Sequence, residues 1–371
     1  MKYQKQHILI ALHRFAIGGA ETQALYLTEF LKQEGYQVTI GAFGDEIGEG
    51  YLRFSRLGHK TIHWGFQEKL ILTPTQNLSG LLRRYYYSRK LILQVKRLGI
   101  DSIIPFTYPA NSIFCQWFKR MGAKKCFWNQ RDEGRFFKGD SFDIKCLNNA
   151  TSIISNSLEG SNFLQRFTKR NIKIIHNGVM PVDESSSKSE YESKIRVVKI
   201  GNLHSYKDHF TLLKAWKIVI ERFGKEEVQL LLAGNKLDEY SSLSTFVSEN
   251  KMESTVSFLG EVKDINSLLL SAQLAVFSSY NEGIPNGVLE PMAAGLAVVA
   301  TNCLGAKEAL GVDYPFLVTP KDHESLAIKI IELIENRSLS DGIGRQNKKR
   351  IADSFSMARM CNQYLELIES K

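Results

Sequence analysis

Residues 278–295 read Ser-Ser-Tyr-Asn-Glu-Gly-Ile-Pro-Asn-Gly-Val-Leu-Glu-Pro-Met-Ala-Ala-Gly. The apolar run Leu274–Phe277 leads into them, so the segment reads as a buried strand, a Gly/Pro/Asn turn and a helix. Glu282 lies in the turn and Glu290 inside the helix that the turn launches, which puts a carboxylate on each side of one helix start. The first turn of a helix has unpaired N–H groups and the positive end of the peptide dipole. The amides of Gly283, Asn286 and Gly287 are therefore placed to meet an anion.

Working outward, the second half of the chain repeats this unit. Strands at Arg196–Leu203, Val228–Gly234, Val256–Gly260, Leu274–Ser278, Ala297–Thr301 and Phe316–Val318 alternate with helices at His209–Phe223, Asn266–Ala272, Asn286–Gly295 and Glu324–Glu335. Two further helices, Leu339–Ala352 and Phe355–Ile368, finish the chain. The first half has the same alternation, with strands at His7–Leu12, Gln37–Phe43, Ser102–Phe106, Lys125–Trp128, Thr151–Ser155 and Ile172–Ile175. A helix follows the turn Ile17-Gly18-Gly19, Thr73-Pro74-Thr75-Gln76 offers a helix start, Leu81–Leu98 is helical, and a short helix spans Ser161–Phe167. The segment Pro181–Lys194, with its run Ser185-Ser186-Ser187, has no apolar period and reads as a linker. The expected organisation is an α/β chain of two doubly wound domains, residues 1–180 and 195–354, joined by linker 181–194, with residues 355–371 packing back onto the first domain.

The chain has 371 residues and a net charge of +9. Residues 1–180 carry 26 Lys and Arg against 13 Asp and Glu, and the remainder carries 22 against 26. This asymmetry points to an acidic partner for the first domain: anionic lipid, a lipid-linked phosphate or nucleic acid. The helix at Leu81–Leu98 sets Arg83, Arg84, Arg89, Lys90, Lys96 and Arg97 beside three tyrosines, which suits either an anionic membrane surface or a solvated basic face. Five scattered cysteines without a Cys-x-x-Cys pair indicate neither a disulfide framework nor a zinc site, and a reducing cytosol fits best. The apolar run near the N-terminus ends at His13 and Arg14 and reads as a buried strand rather than a signal peptide.

In open parallel sheets ligands bind outside the carboxyl ends of the strands. Each remaining motif falls there. Gly18-Gly19 lets backbone approach a ligand at a helix N-terminus. Gly201-Asn202-Leu203-His204-Ser205-Tyr206-Lys207 follows the first strand of the second domain, and Lys207 can neutralise a phosphate. Trp128-Asn129-Gln130-Arg131-Asp132-Glu133-Gly134-Arg135 is a polar cluster directly after a strand. A nicotinamide dehydrogenase is disfavoured, because Gly18-Gly19 is not Gly-x-Gly-x-x-Gly and the second strand ends in Gly41-Ala42-Phe43 rather than an acid. Nucleic-acid binding would account for the charge but not for the two glutamates.

The chain resembles glycosyltransferase family 4, the retaining nucleotide-sugar transferases of GT-B fold, over nearly its whole length. The resemblance rests on Gly18-Gly19-Ala20-Glu21, on Asn177-Gly178-Val179, on Gly201-x-Leu203 with Lys207 and His209, and on Glu282-Gly283-Ile284-Pro285-Asn286 running through Gly287 to Glu290. It implies two Rossmann-like domains facing across a cleft, acceptor on the first and donor on the second. It implies that Glu290 accepts hydrogen bonds from the ribose and that Glu282 lies by the donor sugar. Lys207, Gly18, Gly19, Asn202 and the Gly283–Gly287 segment would hold the diphosphate. It also implies no metal ion and no cofactor beyond the nucleotide-sugar co-substrate, a UDP-sugar first. Lys207 and Glu282 are the catalytic candidates.

Two departures stand out. Asn202 replaces an arginine usual in the family, which leaves that cation to His204, His209 or a basic residue of the first domain. The strand Ser102–Phe106 and the Thr107-Tyr108 that follows lack the histidine many members carry, so Arg131 and Glu133 are the acceptor-side candidates. The mechanism implied is retention of anomeric configuration, with the leaving phosphate taking the acceptor proton and Glu282 positioning the donor. The acceptor expected is a growing glycan or a lipid-linked oligosaccharide of surface polysaccharide synthesis, at the inner face of a membrane. The alternatives are a nucleotide-sugar epimerase of the same fold and a non-catalytic two-domain sugar-binding protein.

Overall fold

A computed structural model describes residues 5–16, 18–44, 47–56, 59–66, 70, 78–182 and 194–370. The expected helix start at Thr73–Gln76 and most of the linker lie outside the described residues. The chain divides into two compact units, one of residues 1–178 with 357–371, the other of residues 179–356.

In the first unit the strands are β1 (His7–Leu12), β2 (Gln37–Ala42), β3 (Lys60–His63), β4 (Ser102–Pro105), β5 (Lys125–Gln130), β6 (Ser152–Ser155) and β7 (Ile172–Ile174). They form a parallel sheet in the order β3-β2-β1-β4-β5-β6-β7. Successive residues of β1 face opposite sides: Leu9 and Ala11 enter one apolar cluster, Ile8, Ile10 and Leu12 the other. A strand covered on both faces must be apolar on both, which is why His7–Leu12 is a continuous run rather than an alternation. The helices are α1 (Gly19–Gln33), α2 (Glu49–Arg56), α3 (Leu78–Arg97), α4 (Tyr108–Trp117), α5 (Ser141–Asn149) and α6 (Leu158–Leu164). Helix α6 begins earlier than the expected Ser161 because the Ser157 hydroxyl caps it, accepting from the Gly160 amide at 3.1 Å.

The second unit holds β8 (Ile195–Ile200), β9 (Val228–Ala233), β10 (Val256–Gly260), β11 (Leu274–Phe277), β12 (Ala297–Thr301) and β13 (Leu317–Val318). Their parallel order is β10-β9-β8-β11-β12-β13. Its helices are α7 (His209–Phe223), α8 (Tyr240–Glu249), α9 (Ile265–Leu270), α10 (Asn286–Ala293), α11 (Leu304–Leu310), α12 (His323–Glu335) and α13 (Arg337–Ser354). Leu274 and Val276 belong to the cluster on one face of this sheet, Ala275 and Phe277 to that on the other. From β8 the chain winds outward through β9 and β10, then returns to β11 on the other side of β8. The β8/β11 edge is thus a topological switch point, where the two following loops diverge and leave a crevice. The β1/β4 edge plays the same part in the first unit.

The last helix, α14 (Met357–Glu369), packs Met360, Tyr364, Leu367 and Ile368 into the cluster that holds Ile8, Ile10 and Leu12. Its entry depends on a close approach at Gly178: a Cβ there would lie 2.6 Å from the Met357 Cα. The Gln23 side chain fixes the same peptide, donating to the Gly178 carbonyl at 2.8 Å and accepting from its amide at 2.9 Å. Gly178→Ala is therefore expected to lower stability by about 1–3 kcal/mol through overpacking. Gly342→Ala on α13, whose Cβ meets only the tip of Arg345 at 3.9 Å, should gain up to about 1 kcal/mol from helix propensity. Urea midpoints of the two variants, with slopes unchanged, test the contrast.

Candidate functional site

The β8/β11 switch point gathers the residues that the sequence singled out in the second unit. Beyond β8 the chain turns at Gly201, makes one 3₁₀ turn at Ser205–Lys207 and enters α7. Beyond β11 it runs through Ser278 and Ser279 to Glu282 and enters α10 at Asn286. Lys207 and Glu282, one from each loop, form an ion pair between Nζ and Oε1, with side chains 16% and 15% exposed. Ser279 lies 3.4 Å from the same Glu282 oxygen and donates to the Tyr206 carbonyl at 2.9 Å. Partial burial weakens solvent screening, so removing one partner would leave the other charge poorly solvated.

Close packing sets the turn. A Cβ on Gly305, in α11, would lie 1.8 Å from the Gly283 carbonyl oxygen and 2.4 Å from that of Glu282. One on Gly287 would lie 2.4 Å from the Ile200 carbonyl oxygen, so α10 can start this near β8 only with glycine there. Gly287 thus has a packing role beside its amide, and the Ile284 side chain is buried in the core cluster under α10. The α10 backbone bonds begin with Val288 and Leu289 donating to the Pro285 carbonyl at 3.0 and 3.2 Å. The amides of Asn286 and Gly287 precede them in the first turn.

Glu290 sits on α10, partly buried, and no hydrogen bond or neighbouring charge is resolved against its carboxyl among the described residues. Burial pushes this carboxyl up to about 7. Asp208, which sequence reasoning missed, adopts a left-handed conformation (φ +46°) and caps α7 through the Thr211 amide at 3.3 Å. It also accepts from the Tyr280 hydroxyl at 2.9 Å, and its second oxygen is buried without a hydrogen bond. An N-capping Asp three residues before Thr211-Leu212-Leu213 is visible in the sequence; its bond to Tyr280 is not.

Two of the substitutes expected for the arginine missing at Asn202, His204 and His209, flank Lys207 in sequence. His209 is buried with neither ring nitrogen hydrogen-bonded. Burial, then Lys199 and Lys207, push its imidazole far below its ordinary value, so it stays neutral and brings no positive charge. His204 lies with Nδ1 2.5 Å from Asp238 and stacks on Tyr206. Asn202 itself accepts from the Asn235 amide at 2.9 Å, tying the loop after β8 to the one after β9.

In the first unit Gly18 caps α1 with an extended backbone, and a Cβ on it would meet the Glu21 carboxylate at 2.8 Å. Burial holds the Glu21 carboxyl above the usual range against the opposing pull of Arg14 and Arg131. The Arg131 guanidinium donates to Asn177 at 2.6 Å and to the Tyr364 hydroxyl at 3.3 Å, and lies over the Phe106 ring. Arg131 thereby belongs with the Gly18–Glu21 turn. Glu133 diverges from it, paired with Arg135 at 2.9 Å, its other oxygen buried without a partner. Just after the strand that lacks the histidine, Thr107 has φ +78° and a buried hydroxyl with no hydrogen bond among the described residues. That backbone region is costly for a threonine, and strain of this kind collects at functional sites.

Since the Glu290 carboxyl is raised in the folded state, its contribution to stability is present below about pH 4.5 and lost as pH rises through about 7. Glu290→Gln should consequently be more stable than the wild type at about pH 8 by about 1–3 kcal/mol, with the difference vanishing near pH 4. Urea denaturation at the two pH values measures it, and an equal difference at both would contradict the assignment.

Residues 194–336 match the family model described as Glycosyl transferases group 1. An uncharacterized glycosyltransferase of Haemophilus influenzae is 23% identical over 297 residues, 77% of each chain. The N,N'-diacetylbacillosaminyl-diphospho-undecaprenol alpha-1,3-N-acetylgalactosaminyltransferase of Campylobacter jejuni is 31% identical over 146 residues, 39% of this chain and 38% of that one. Among solved structures, Anabaena HepE in complex with UDP and glucose superposes with a TM-score of 0.82 at 20% identity, covering 99% of this chain and 100% of that chain. Residues 194–336 thus match a group 1 glycosyltransferase domain, and the chain as a whole has the GT-B fold of the solved structure it superposes on.

Proposed function

We propose that the protein is a retaining transferase of family 4 that moves a sugar from a UDP-sugar to a glycan or lipid-linked acceptor in surface polysaccharide synthesis. The observation that carries this reading is Glu290, a partly buried carboxylate with no hydrogen bond or charge resolved against it among the described residues, on the helix that starts beside the Lys207–Glu282 pair. A pair of ribose hydroxyls supplies the two donors it lacks, and each charged hydrogen bond is worth about 1.5–3 kcal/mol. The diphosphate then falls at the first turn of α10, where amides and Lys207 stabilise the charge that grows as it leaves. Glu282, held by Lys207, orients a hydroxyl of the donor sugar rather than attacking its anomeric carbon. The leaving phosphate oxygen takes the acceptor proton on the same face, which gives retention without an enzymic base. The bound UDP and glucose named for HepE, and the lipid-diphosphate acceptor named for the Campylobacter relative, agree with this choice of donor and acceptor.

A panel of UDP-, GDP- and ADP-sugars, scored by thermal stabilisation and by transfer, tests it. UDP-sugars should raise the melting temperature most, Lys207→Ala should cost at least about tenfold in donor affinity, and the product should keep the donor's anomeric configuration. An inverted product, or a covalent glycosyl-Glu282 species, would refute the mechanism. Release of an epimerised sugar with no acceptor would favour the epimerase.

For the membrane side of the reading, α3 supplies the support. Only Ser88, Leu91 and Val95 of this helix are buried. Leu82, Tyr85 and Tyr86 are each 61% exposed and Leu93 50%. Its sequence holds six Lys and Arg and no acid. An exposed apolar stripe bordered only by positive charge matches an anionic bilayer surface. Co-sedimentation with phosphatidylglycerol vesicles, but not phosphatidylcholine vesicles, is expected for the wild type, with loss in the double variant Leu82→Asp, Tyr86→Asp. Equal binding of both proteins would reject α3 as the contact.

A further inference from the structure

Lys199 stands on β8 with 1% of its surface exposed. Its ammonium sits among three oxygens: the Lys207 carbonyl at 2.5 Å, the Ser278 carbonyl at 2.8 Å and the Ser278 hydroxyl at 2.5 Å. That hydroxyl donates its own proton to the Asp208 carbonyl at 2.8 Å. One buried cation therefore joins the loop after β8 to the first residue of the turn that carries Glu282. We propose that Lys199 is a positioning residue that latches the Lys207 loop to the Glu282 turn while it holds its proton and releases them when it loses it, so that donor binding is coupled to a proton one layer beneath the site. The proposal rests on reading Lys207 and Glu282 as the donor site.

The chemistry of the amine sets the latch. An ammonium has three protons for three oxygens, whereas a neutral amine has two and a lone pair, so on deprotonation the Ser278 contact survives only if that hydroxyl turns to donate to the amine and gives up its bond to the Asp208 carbonyl. In a buried setting that loss is not offset by water. Among the described residues, the charged and titratable groups acting on or beside Lys199 are Lys207, Asp208 and His209 at the start of α7, Glu239 ahead of α8, and Glu282. Burial, then Lys207, pull the Lys199 ammonium down to about 7, against the opposing pull of Asp208, Glu282 and Glu239. A diphosphate beside Lys207 adds negative charge, which strengthens the hold of Lys199 on its proton. The sign follows from linkage: below about pH 7 the latch is already closed, and above it donor binding must take up a proton. Donor affinity should then fall as pH rises, by up to about tenfold per pH unit.

Isothermal titration of the intact protein with UDP at about pH 8, in two buffers of different ionisation enthalpy, reads this directly. At that pH Glu290, raised only to about 7, is largely ionised, so its proton contributes little. The expected result is net proton uptake in the wild type, none in Lys199→Met, and a UDP affinity in Lys199→Met that is weaker and flat between about pH 8 and 9, above the Glu290 titration. Ser278→Ala keeps the lysine and removes one acceptor, so its affinity should begin to fall at lower pH than in the wild type. It tests the latch independently if Lys199→Met does not fold. UDP binding without proton uptake in the wild type, or the same uptake in Lys199→Met, overturns the latch alone. A wild type that binds no UDP at any pH overturns the donor-site reading, and the latch with it.

Discussion

The site in the second unit depends on one ion pair, that between Lys207 and Glu282 across the β8/β11 edge. Parallel strands that wind away in opposite directions leave a gap between their following loops, and something must hold the two loop tips at a fixed separation. Here that is a Lys–Glu contact sheltered enough for its Coulomb energy to outlast solvent screening. Much of the local structure can be understood as support for it. The Gly305 backbone lies against the Glu282–Gly283 peptide where no side chain fits. Tyr280 and Asp208 cross-link the two loops at 2.9 Å on one side, and Lys199 joins them beneath.

The surroundings of this pair are not arranged for maximal stability. Among the described residues, a carboxyl on α10 raised by burial, a neutral histidine buried beside two lysines, and an aspartate with one unsatisfied oxygen each cost folding free energy. Unmet polar groups that cluster at the carboxyl ends of two adjacent strands are what a preorganised polar site has before its ligand arrives. On the proposed reading a UDP-sugar supplies the missing donors and charge, so part of the binding free energy comes from relieving an existing penalty.

The architecture was legible because doubly wound strands are apolar on both faces and stand out as short runs. His7–Leu12, Val256–Gly260 and Ala297–Thr301 have the boundaries that the sequence suggests. Helix and strand ends set by side-chain caps or tertiary contacts were less legible. Ser157 starts α6 before its apolar period does, and Arg196–Leu203 stops as a strand at Ile200, where the chain turns toward Lys207. Within the site, motif spacing pointed to Lys207, Glu282 and Glu290, which the fold places on two adjacent loops and one helix. It could not find Lys199, Gly305 or Thr107. A lysine within an apolar strand, a glycine opening a short helix and a threonine ending a strand acquire meaning only from what lies against them. It also gave no sign that His209, two residues after Lys207, is buried.

The central claim is that Glu290 is the anchor for a nucleotide's ribose, and its most direct test is the UDP affinity of folded Glu290→Ala measured by calorimetry beside the wild type. Loss of two charge-assisted hydrogen bonds predicts a weakening of at least about tenfold, with the urea midpoint at neutral pH unchanged or raised. A variant that binds UDP as tightly as the wild type would contradict the account.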